Sequence, residues 1–198
     1  MTTADDLAGY VVVDTAVGGV NRRNHPLPLE QFHPNGTPDC FRTWLRFTEG
    51  LATYTATHLS QDTGKPSVGG YPGPGLATFV PLDFDCREEP ARALADARTF
   101  VRHFVATWGV DPRAVRVFFS GNKGISVEIP ATLFGGFDPA PDVADRVKRL
   151  VVALTDGLDL PTLDWVIYEK MRLWRCPNTR HGVSRLFKIP LTIDELLA

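Results

Sequence analysis

The clearest pattern of hydrophobic and polar positions lies in the second half of the chain. Residues 77–85 form a nearly continuous apolar run, which is typical of a buried strand. Residues 88–108 place apolar side chains three and four positions apart, and this spacing predicts an amphipathic helix. The runs 114–119 and 125–129 predict two strands joined by a tight link. Apolar positions after Asp142 predict a second helix with Asp142 as its N-cap.

The remaining pattern is less regular. Residues 10–13 predict a short strand, residues 17–37 a loop, and residues 39–59 a helix. Two further strands are predicted at 163–168 and 186–191. The order of strand, helix, hairpin, helix and strand favours an α+β fold, in which helices cover one side of a mainly antiparallel sheet.

The length of the chain indicates one domain. A chain of 198 residues lies in the range of a single domain with a substantial core. The strongest loop signal is the Gly/Pro-rich stretch at 64–75. We therefore predict one domain over 1–198, with an N-terminal α/β portion and loop at 1–76 and a core at 77–191 that contains the candidate motifs.

Charge is balanced over the whole chain but concentrated locally. Against 23 acidic residues stand 21 Lys and Arg, which gives a net charge of −2. Residues 169–188 contain six basic side chains and one acid, so this segment carries +5 and the rest of the chain −7. Such a segment fits a polyanionic partner. A solvated charged loop is the alternative, because the chain has 16 arginines and only five lysines.

Composition also excludes several classes of protein. Cys40, Cys86 and Cys176 are too few and too scattered for a disulfide scaffold or a zinc site. No apolar run approaches the ~18 residues of a membrane-spanning helix, and the N-terminus lacks the features of a signal peptide. We expect a cytoplasmic protein without a membrane partner.

Two aspartates at the end of the 77–85 run are candidate metal ligands. Asp83 and Asp85 lie two residues apart, so on a strand they project from the same face. Paired carboxylates repel unless they are protonated or bridged by a cation, and hard oxygen ligands suit Mg²⁺ or Mn²⁺. The alternative is that they cap the helix that follows.

The link between the two central strands is a candidate phosphate site. In the stretch SGNKG, Ser120 offers a hydroxyl, Lys123 a charge, and the glycines allow close approach to backbone amides. On the strand after the link, Ser126 lies on the face opposite the apolar side chains. A hairpin turn explains the same residue types equally well.

A third carboxylate and an arginine cluster follow. Asp164 lies in an apolar run, where an acid is either a ligand or a solvent-facing residue. After it come Arg172, Arg175, Arg180 and His181, and arginine side chains grip phosphate oxygens with two parallel hydrogen bonds. Three acids, a Ser/Lys turn and an arginine cluster together fit metal-assisted nucleotidyl transfer.

Three segments of the chain, in their order, resemble three motifs of the archaeo-eukaryotic primase superfamily, in particular the primase-polymerases of phages, plasmids and mobile elements. These segments are FVPLDFD, FSGNKGISVEI and LDWVIYEKMRLWRCPNTRHG…FKIPL. The resemblance covers about 79–191. It implies a core with an RRM-like antiparallel sheet and flanking helices. It also implies a DNA primase or polymerase that transfers nucleotides on a single-stranded DNA template by a two-metal mechanism.

Residue by residue, the resemblance implies a metal-binding and catalytic triad of Asp83, Asp85 and Asp164, holding two Mg²⁺ or Mn²⁺ ions. It implies contacts to an incoming NTP or dNTP from Ser120, Lys123, Ser126, Arg172, Arg175, Arg180 and His181. Many relatives have His where this chain has Ser126, so nucleotide affinity is the property that this departure puts in question. The implied partners also include a helicase or a helical priming domain, in the same or another polypeptide.

Two other functions remain open from the sequence. A catalytically silent nucleic-acid-binding domain of a replication initiator would explain Ser126, although the three acids count against it. A metal-dependent nuclease or phosphatase would use the carboxylates but would leave the arginine segment and the Ser-Gly turn without a clear role.

Overall fold

Among the described residues, eight strands form two antiparallel sheets of four strands each. The structure, a computed structural model, describes residues 7–34 and 36–198. The strands of the first sheet are β1 (Val12–Val17), β2 (His25–Pro28), β3 (Cys40–Thr43) and β7 (Leu173–Arg175), in the order β2-β1-β3-β7. The strands of the second sheet are β4 (Phe79–Asp85), β5 (Arg116–Phe119), β6 (Gly124–Pro130) and β8 (Ile189–Leu191), in the order β4-β6-β5-β8.

Four α-helices that lie wholly within the described residues flank these sheets. They are α1 (Gly50–Thr57), α2 (Pro90–Trp108), α3 (Val143–Leu154) and α4 (Ile193–Leu197). The buried face of α2 packs on β4 and β6, and α3 also contacts β4. The α+β prediction, with antiparallel sheets and flanking helices, is confirmed. No helix among the described residues combines the length and hydrophobicity needed to cross a bilayer.

One hydrophobic core joins the two sheets. Phe79 of β4 contacts Trp44, which follows β3, at 6.5 Å between ring centroids, and Trp174 of β7 at 6.2 Å. All three rings are buried. Because β7 comes from the C-terminal part of the chain and pairs with β3 from the N-terminal part, both parts contribute to the first sheet.

The predicted helix over 39–59 is wrong. The chain forms β3 first and only then α1, which begins at Gly50. Cys40–Thr43 pair with β1 on one side and β7 on the other, and this pairing outweighs the local helical spacing. The predicted loop over 17–37 also contains a strand, β2, which pairs with β1.

The predicted strand over 163–168 is wrong as well. Leu163 makes a single bridge to Phe84, and Trp165–Tyr168 then form a 3₁₀ turn. The Asp164 side chain accepts a hydrogen bond from the Val166 amide at 2.9 Å and so starts this turn. The face alternation expected of a strand therefore does not apply to Asp164.

The regular elements of the second half agree with the sequence to within a few residues. The strand at 77–85 is β4, the helix at 88–108 is α2, and the two central strands are β5 and β6. The second helix begins after Asp142 as predicted, but the Asp142 side chain makes an ion pair with Arg146 and does not cap the helix.

Candidate active site

A small cleft between the two sheets collects most of the predicted site residues. Its volume is about 160 Å³, and it lies between β4 and β6 on one side and β3 and β7 on the other. The predicted residues that line it are Asp83, Asp85, Ser126, Asp164, Arg172 and Arg175. We call this space the central cleft.

The first two acids of the central cleft are placed by the register of β4 and β6. Asp83 lies opposite Ser126, whose hydroxyl donates a hydrogen bond to Asp83 Oδ1 at 3.0 Å. Asp85 lies opposite Gly124, where a Cβ would approach Asp85 Oδ1 to 2.2 Å. The aspartates do not cap α2, because the residue at its N-cap is Glu89. The capping alternative is therefore excluded.

The third acid reaches the cleft by pairing with the end of β4. The Asp164 amide donates to the Asp83 carbonyl, and the Asp85 amide donates to the Thr162 carbonyl, each at 2.8 Å. Asp96 of α2 holds this segment, since its Oδ2 accepts from the Thr162 amide at 3.0 Å and the Thr162 hydroxyl at 2.7 Å. Backbone hydrogen bonds thus bring Asp164 next to acids that lie about eighty positions earlier in the sequence.

One carboxyl group of the central cleft, Asp83, is unfavourable to ionise. Burial and the neighbouring Asp85 raise the pKa of Asp83 to about 7, against the opposing effects of Lys188 and Ser126. Lys188 is almost fully buried, with 1% of its surface exposed, and burial lowers its pKa. A carboxyl group whose ionisation is this unfavourable is a place where an added cation gains energy.

Two of the acids form ion pairs with basic side chains of the protein itself. Lys123 Nζ lies 2.9 Å from Asp85 Oδ2, and an Arg172 nitrogen lies 3.8 Å from Asp164 Oδ2. Both predicted phosphate contacts therefore face the carboxylates in the absence of ligand. All four side chains are part-exposed, which leaves them free to exchange partners at low cost.

The link between β5 and β6 is a hydrogen-bonded turn. The Ser120 hydroxyl accepts from the Gly124 amide at 3.1 Å, and the Ser120 amide donates to the Gly124 carbonyl at 2.9 Å. The Ser184 hydroxyl donates to the Gly121 carbonyl and so joins this turn to the basic segment. The turn-forming role is present, while a phosphate contact by Ser120 stays a prediction.

The last two predicted residues are not part of the cleft lining. Arg180 has a buried Nε without a hydrogen-bond partner in the described part of the chain. His181 Nδ1 accepts from the amides of Val183 at 3.2 Å and Ser184 at 3.1 Å, which shapes the loop after β7. Burial and the nearby Arg175 lower the pKa of His181 and favour the neutral ring that these bonds require.

The metal site implied by the three aspartates stays a prediction. Among residues 7–34 and 36–198, no three His, Cys, Asp or Glu side chains are grouped so that they could hold a metal ion. The chemistry of the donors nevertheless fits Mg²⁺ or Mn²⁺, because Asp83, Asp85 and Asp164 offer carboxylate oxygens around one cleft. Asp85 and Asp164 each also lie beside a basic side chain, Lys123 and Arg172 respectively.

Sequence reasoning missed several residues of the cleft. Lys188 was counted only as part of the basic segment, yet its Nζ donates to the Arg175 carbonyl at 3.1 Å and lies 4.7 Å from the Trp174 ring centroid. Trp174 in turn donates from Nε1 to Glu128 at 2.7 Å. Phe41 lines the cleft from β3. Lys188 precedes β8, and its alternate neighbours Leu186 and Pro190 are exposed, so alternation along 186–191 does not mark Lys188 as buried.

Comparisons with known proteins give little beyond the geometry. No protein-family model matches the sequence, and no curated protein matches it significantly. Among solved structures, the chain is similar to the polymerase domain from Mycobacterium tuberculosis Ligase D in complex with DNA, with 18% identity and a TM-score of 0.47. The match covers 98% of this chain and 83% of that one. A likeness at this level establishes neither a family nor an activity.

Proposed function

We propose that the protein is a nucleotidyltransferase that extends or starts a strand on a single-stranded DNA template, with release of pyrophosphate. The observation that carries the proposal is the composition of the central cleft. Three acids and two arginines, which come from segments as far apart as β4 and β7, line one cavity. Carboxylates for divalent cations beside arginines for phosphates are the parts that phosphoryl-group transfer needs.

In this proposal Asp83, Asp85 and Asp164 hold Mg²⁺ or Mn²⁺. When bound, the cations supply Lewis-acid stabilisation of the charge that develops on the phosphoryl oxygens. The raised pKa of Asp83, caused first by burial and then by Asp85, supports the proposal because ionising this carboxyl group is unfavourable unless a cation binds beside it.

The basic side chains of the chain would bind the triphosphate. Lys123 and Arg172 would leave Asp85 and Asp164 when those acids take up cations, and would then be free to bind phosphate oxygens. Arg175 would approach from β7 on the opposite side of the cleft. Ser126 would keep Asp83 oriented through its hydroxyl hydrogen bond.

A primer-extension assay tests this proposal. The protein is incubated with primed or unprimed single-stranded DNA, labelled NTPs or dNTPs, and Mg²⁺ or Mn²⁺. We expect metal-dependent extension that falls by at least about 100-fold in Asp85→Ala. The matched control is Asp111→Ala, which removes an exposed acid paired only with neighbouring Arg113. Absence of extension by the wild-type protein with either metal would refute the proposal.

A catalytically silent nucleic-acid-binding domain is the second candidate. It is favoured by the ion pairs of Asp85 with Lys123 and of Asp164 with Arg172. Titration of fluorescent single-stranded DNA separates the two. A silent domain binds it with an affinity that Mn²⁺ and nucleotide leave unchanged, whereas the proposed enzyme binds it more tightly when both are present.

A further inference from the structure

Asp39 connects the N-terminal sheet to the arginine segment. It immediately precedes β3, in a part of the chain to which the sequence assigned no function. Its Oδ1 accepts a hydrogen bond from Arg175 Nη1 at 3.0 Å and from the Gly182 amide at 2.8 Å. One carboxylate therefore holds both a cleft-lining side chain and the loop that follows it.

The backbone of Asp39 is held just as firmly. Its amide donates to the Arg180 carbonyl at 2.8 Å, and its carbonyl accepts from the amides of Gly18 and Gly19, each at 3.1 Å. Asp39 has a φ of 47°, in the left-handed region that only a few residue types adopt readily. A conformation of this kind persists when the surrounding contacts fix it.

The loop is shaped around the Asp39 side chain. A Cβ on Gly182 would lie 1.8 Å from Asp39 Oδ2, so only glycine allows this approach. The close fit keeps the carboxylate directed at the Gly182 amide and at Arg175. Burial alone would raise the pKa of the Asp39 carboxyl group. The hydrogen bonds from Gly182 and Arg175 outweigh this effect, and the pKa is lowered.

The Arg175 guanidinium is held at one nitrogen by Asp39 and on one face by the Phe41 ring. Its guanidinium carbon lies 4.6 Å from the centroid of the Phe41 ring, and Nη1 is used by Asp39. A guanidinium has five N–H donors in a rigid plane, so fixing one nitrogen and the stacked face also fixes the direction of Nε and Nη2. Arg175 lines the central cleft, where those donors would meet a ligand.

We infer that Asp39 is a positioning residue for the triphosphate of the incoming nucleotide and that it acts through Arg175. This inference rests on the proposed function of the central cleft. Asp39 does not bind phosphate itself, because its negative charge would repel the ligand. It holds the Arg175 side chain in a binding orientation before the nucleotide arrives, and this lowers the entropic cost of ordering that side chain on binding.

The test variant is Asp39→Asn. Asparagine tolerates the left-handed backbone and keeps an acceptor for the Gly182 amide, but it removes the charge that holds Arg175. In single-nucleotide incorporation we expect the KM for dNTP to rise about tenfold, with kcat within about twofold of wild type. Asp111→Asn, which neutralises an exposed acid bonded to Arg113, is the matched control and should leave both constants unchanged.

A double-mutant cycle shows whether Asp39 acts through Arg175. Arg175→Ala and the double variant Asp39→Asn/Arg175→Ala should have the same KM, because Asp39 has nothing left to orient once the guanidinium is gone. A merely structural Asp39 would give additive effects. Arg175→Lys, which keeps the charge but loses the planar fork, should raise the KM as Asp39→Asn does.

The outcomes separate this inference from the proposed function. A wild-type protein that neither binds nor incorporates dNTP overturns the proposed function and this inference together. A wild-type protein that incorporates dNTP, beside an Asp39→Asn variant with an unchanged or lowered KM, overturns the role of Asp39 alone. Thermal unfolding of each variant verifies that the changes in KM are not caused by loss of the fold.

Discussion

At the scale of the residue, Asp83 is where function and stability oppose each other. Its carboxylate lies beside Asp85 and Asp164 in a largely enclosed cleft, and burial followed by Asp85 raises its pKa to about 7. The unfolded chain would ionise this group near 3.8. Between about pH 4 and pH 7, the folded protein without metal therefore keeps a proton on Asp83 that the unfolded chain has released.

The first prediction concerns Asp83→Asn. Because the folded pKa is raised, the stability that protonated Asp83 contributes is present at low pH and is lost as the pH rises from about 4 to about 7. The variant lacks this loss, so without metal at pH 8 we expect it to be more stable by at least about 1 kcal/mol, or roughly 2–4 °C in Tm. Thermal unfolding followed by circular dichroism measures the difference.

The same variant should lose metal-dependent extension, and metal should no longer raise its Tm. Asn keeps the acceptor for the Ser126 hydroxyl, so the packing of β4 on β6 is preserved. A variant that is less stable than wild type at pH 8, or that shows the same pH dependence, would contradict the account of Asp83 as an electrostatically unfavourable residue.

At the scale of the element, the hairpin of β5 and β6 sets the position of Asp85. Gly124 begins β6 directly opposite Asp85, and the backbone carbonyl of Phe84 would lie 2.2 Å from a Cβ at this position. This close contact requires glycine, whereas the turn itself is closed by the hydrogen bonds between Ser120 and Gly124.

The second prediction is that Gly124→Ala disrupts the site. The new methyl group would overlap the Asp85 carboxylate and the backbone carbonyl of Phe84. The strands must therefore separate locally, at a cost of about 1–3 kcal/mol. Chemical denaturation measures this loss, and extension activity should fall with it. The control is Gly9→Ala, at an exposed glycine with nothing within 4 Å of the new Cβ, which should stay within about 0.5 kcal/mol of wild type. Equal stability of the two variants would contradict this role of Gly124.

At the scale of the whole molecule, the two sheets depend on strands from both ends of the chain. β7 from the C-terminal part extends the first sheet by pairing with β3, and its Trp174 packs against Phe79 of the second sheet. Asp83 and Asp85 of the central cleft thus belong to the second sheet and Arg175 to the first, and one core holds the two sheets together.

The third prediction is that residues 77–198 do not fold cooperatively on their own. Removing β1 to β3 would leave β7 without its partner strand and expose Trp174, although every motif residue is still present. Unfolding of this fragment by denaturant should be broad and its amide NMR dispersion poor, in contrast to the full chain. A fragment with a sharp transition and Mn²⁺-dependent extension would show that the N-terminal sheet is dispensable.

Local patterning in the sequence was sufficient to predict the elements that have a regular apolar spacing or a recognisable turn. Strand β4, helices α2 and α3, and the β5–β6 hairpin follow from hydrophobic spacing and turn chemistry. The pairing of Asp83 with Asp85 follows from the two-residue repeat of a strand. These features need no knowledge of distant residues.

Tertiary structure alone decided the rest. β3 forms at a segment with helical spacing because β1 and β7 pair with it, and the segment after Asp164 forms a 3₁₀ helix that buries Ile167 and Tyr168. The contact of Asp39 with Arg175 joins residues 136 positions apart, and the burial of Lys188 depends on β5 and β7 together. Long-range pairing and burial are collective properties of the folded chain, so no local window of sequence contains them.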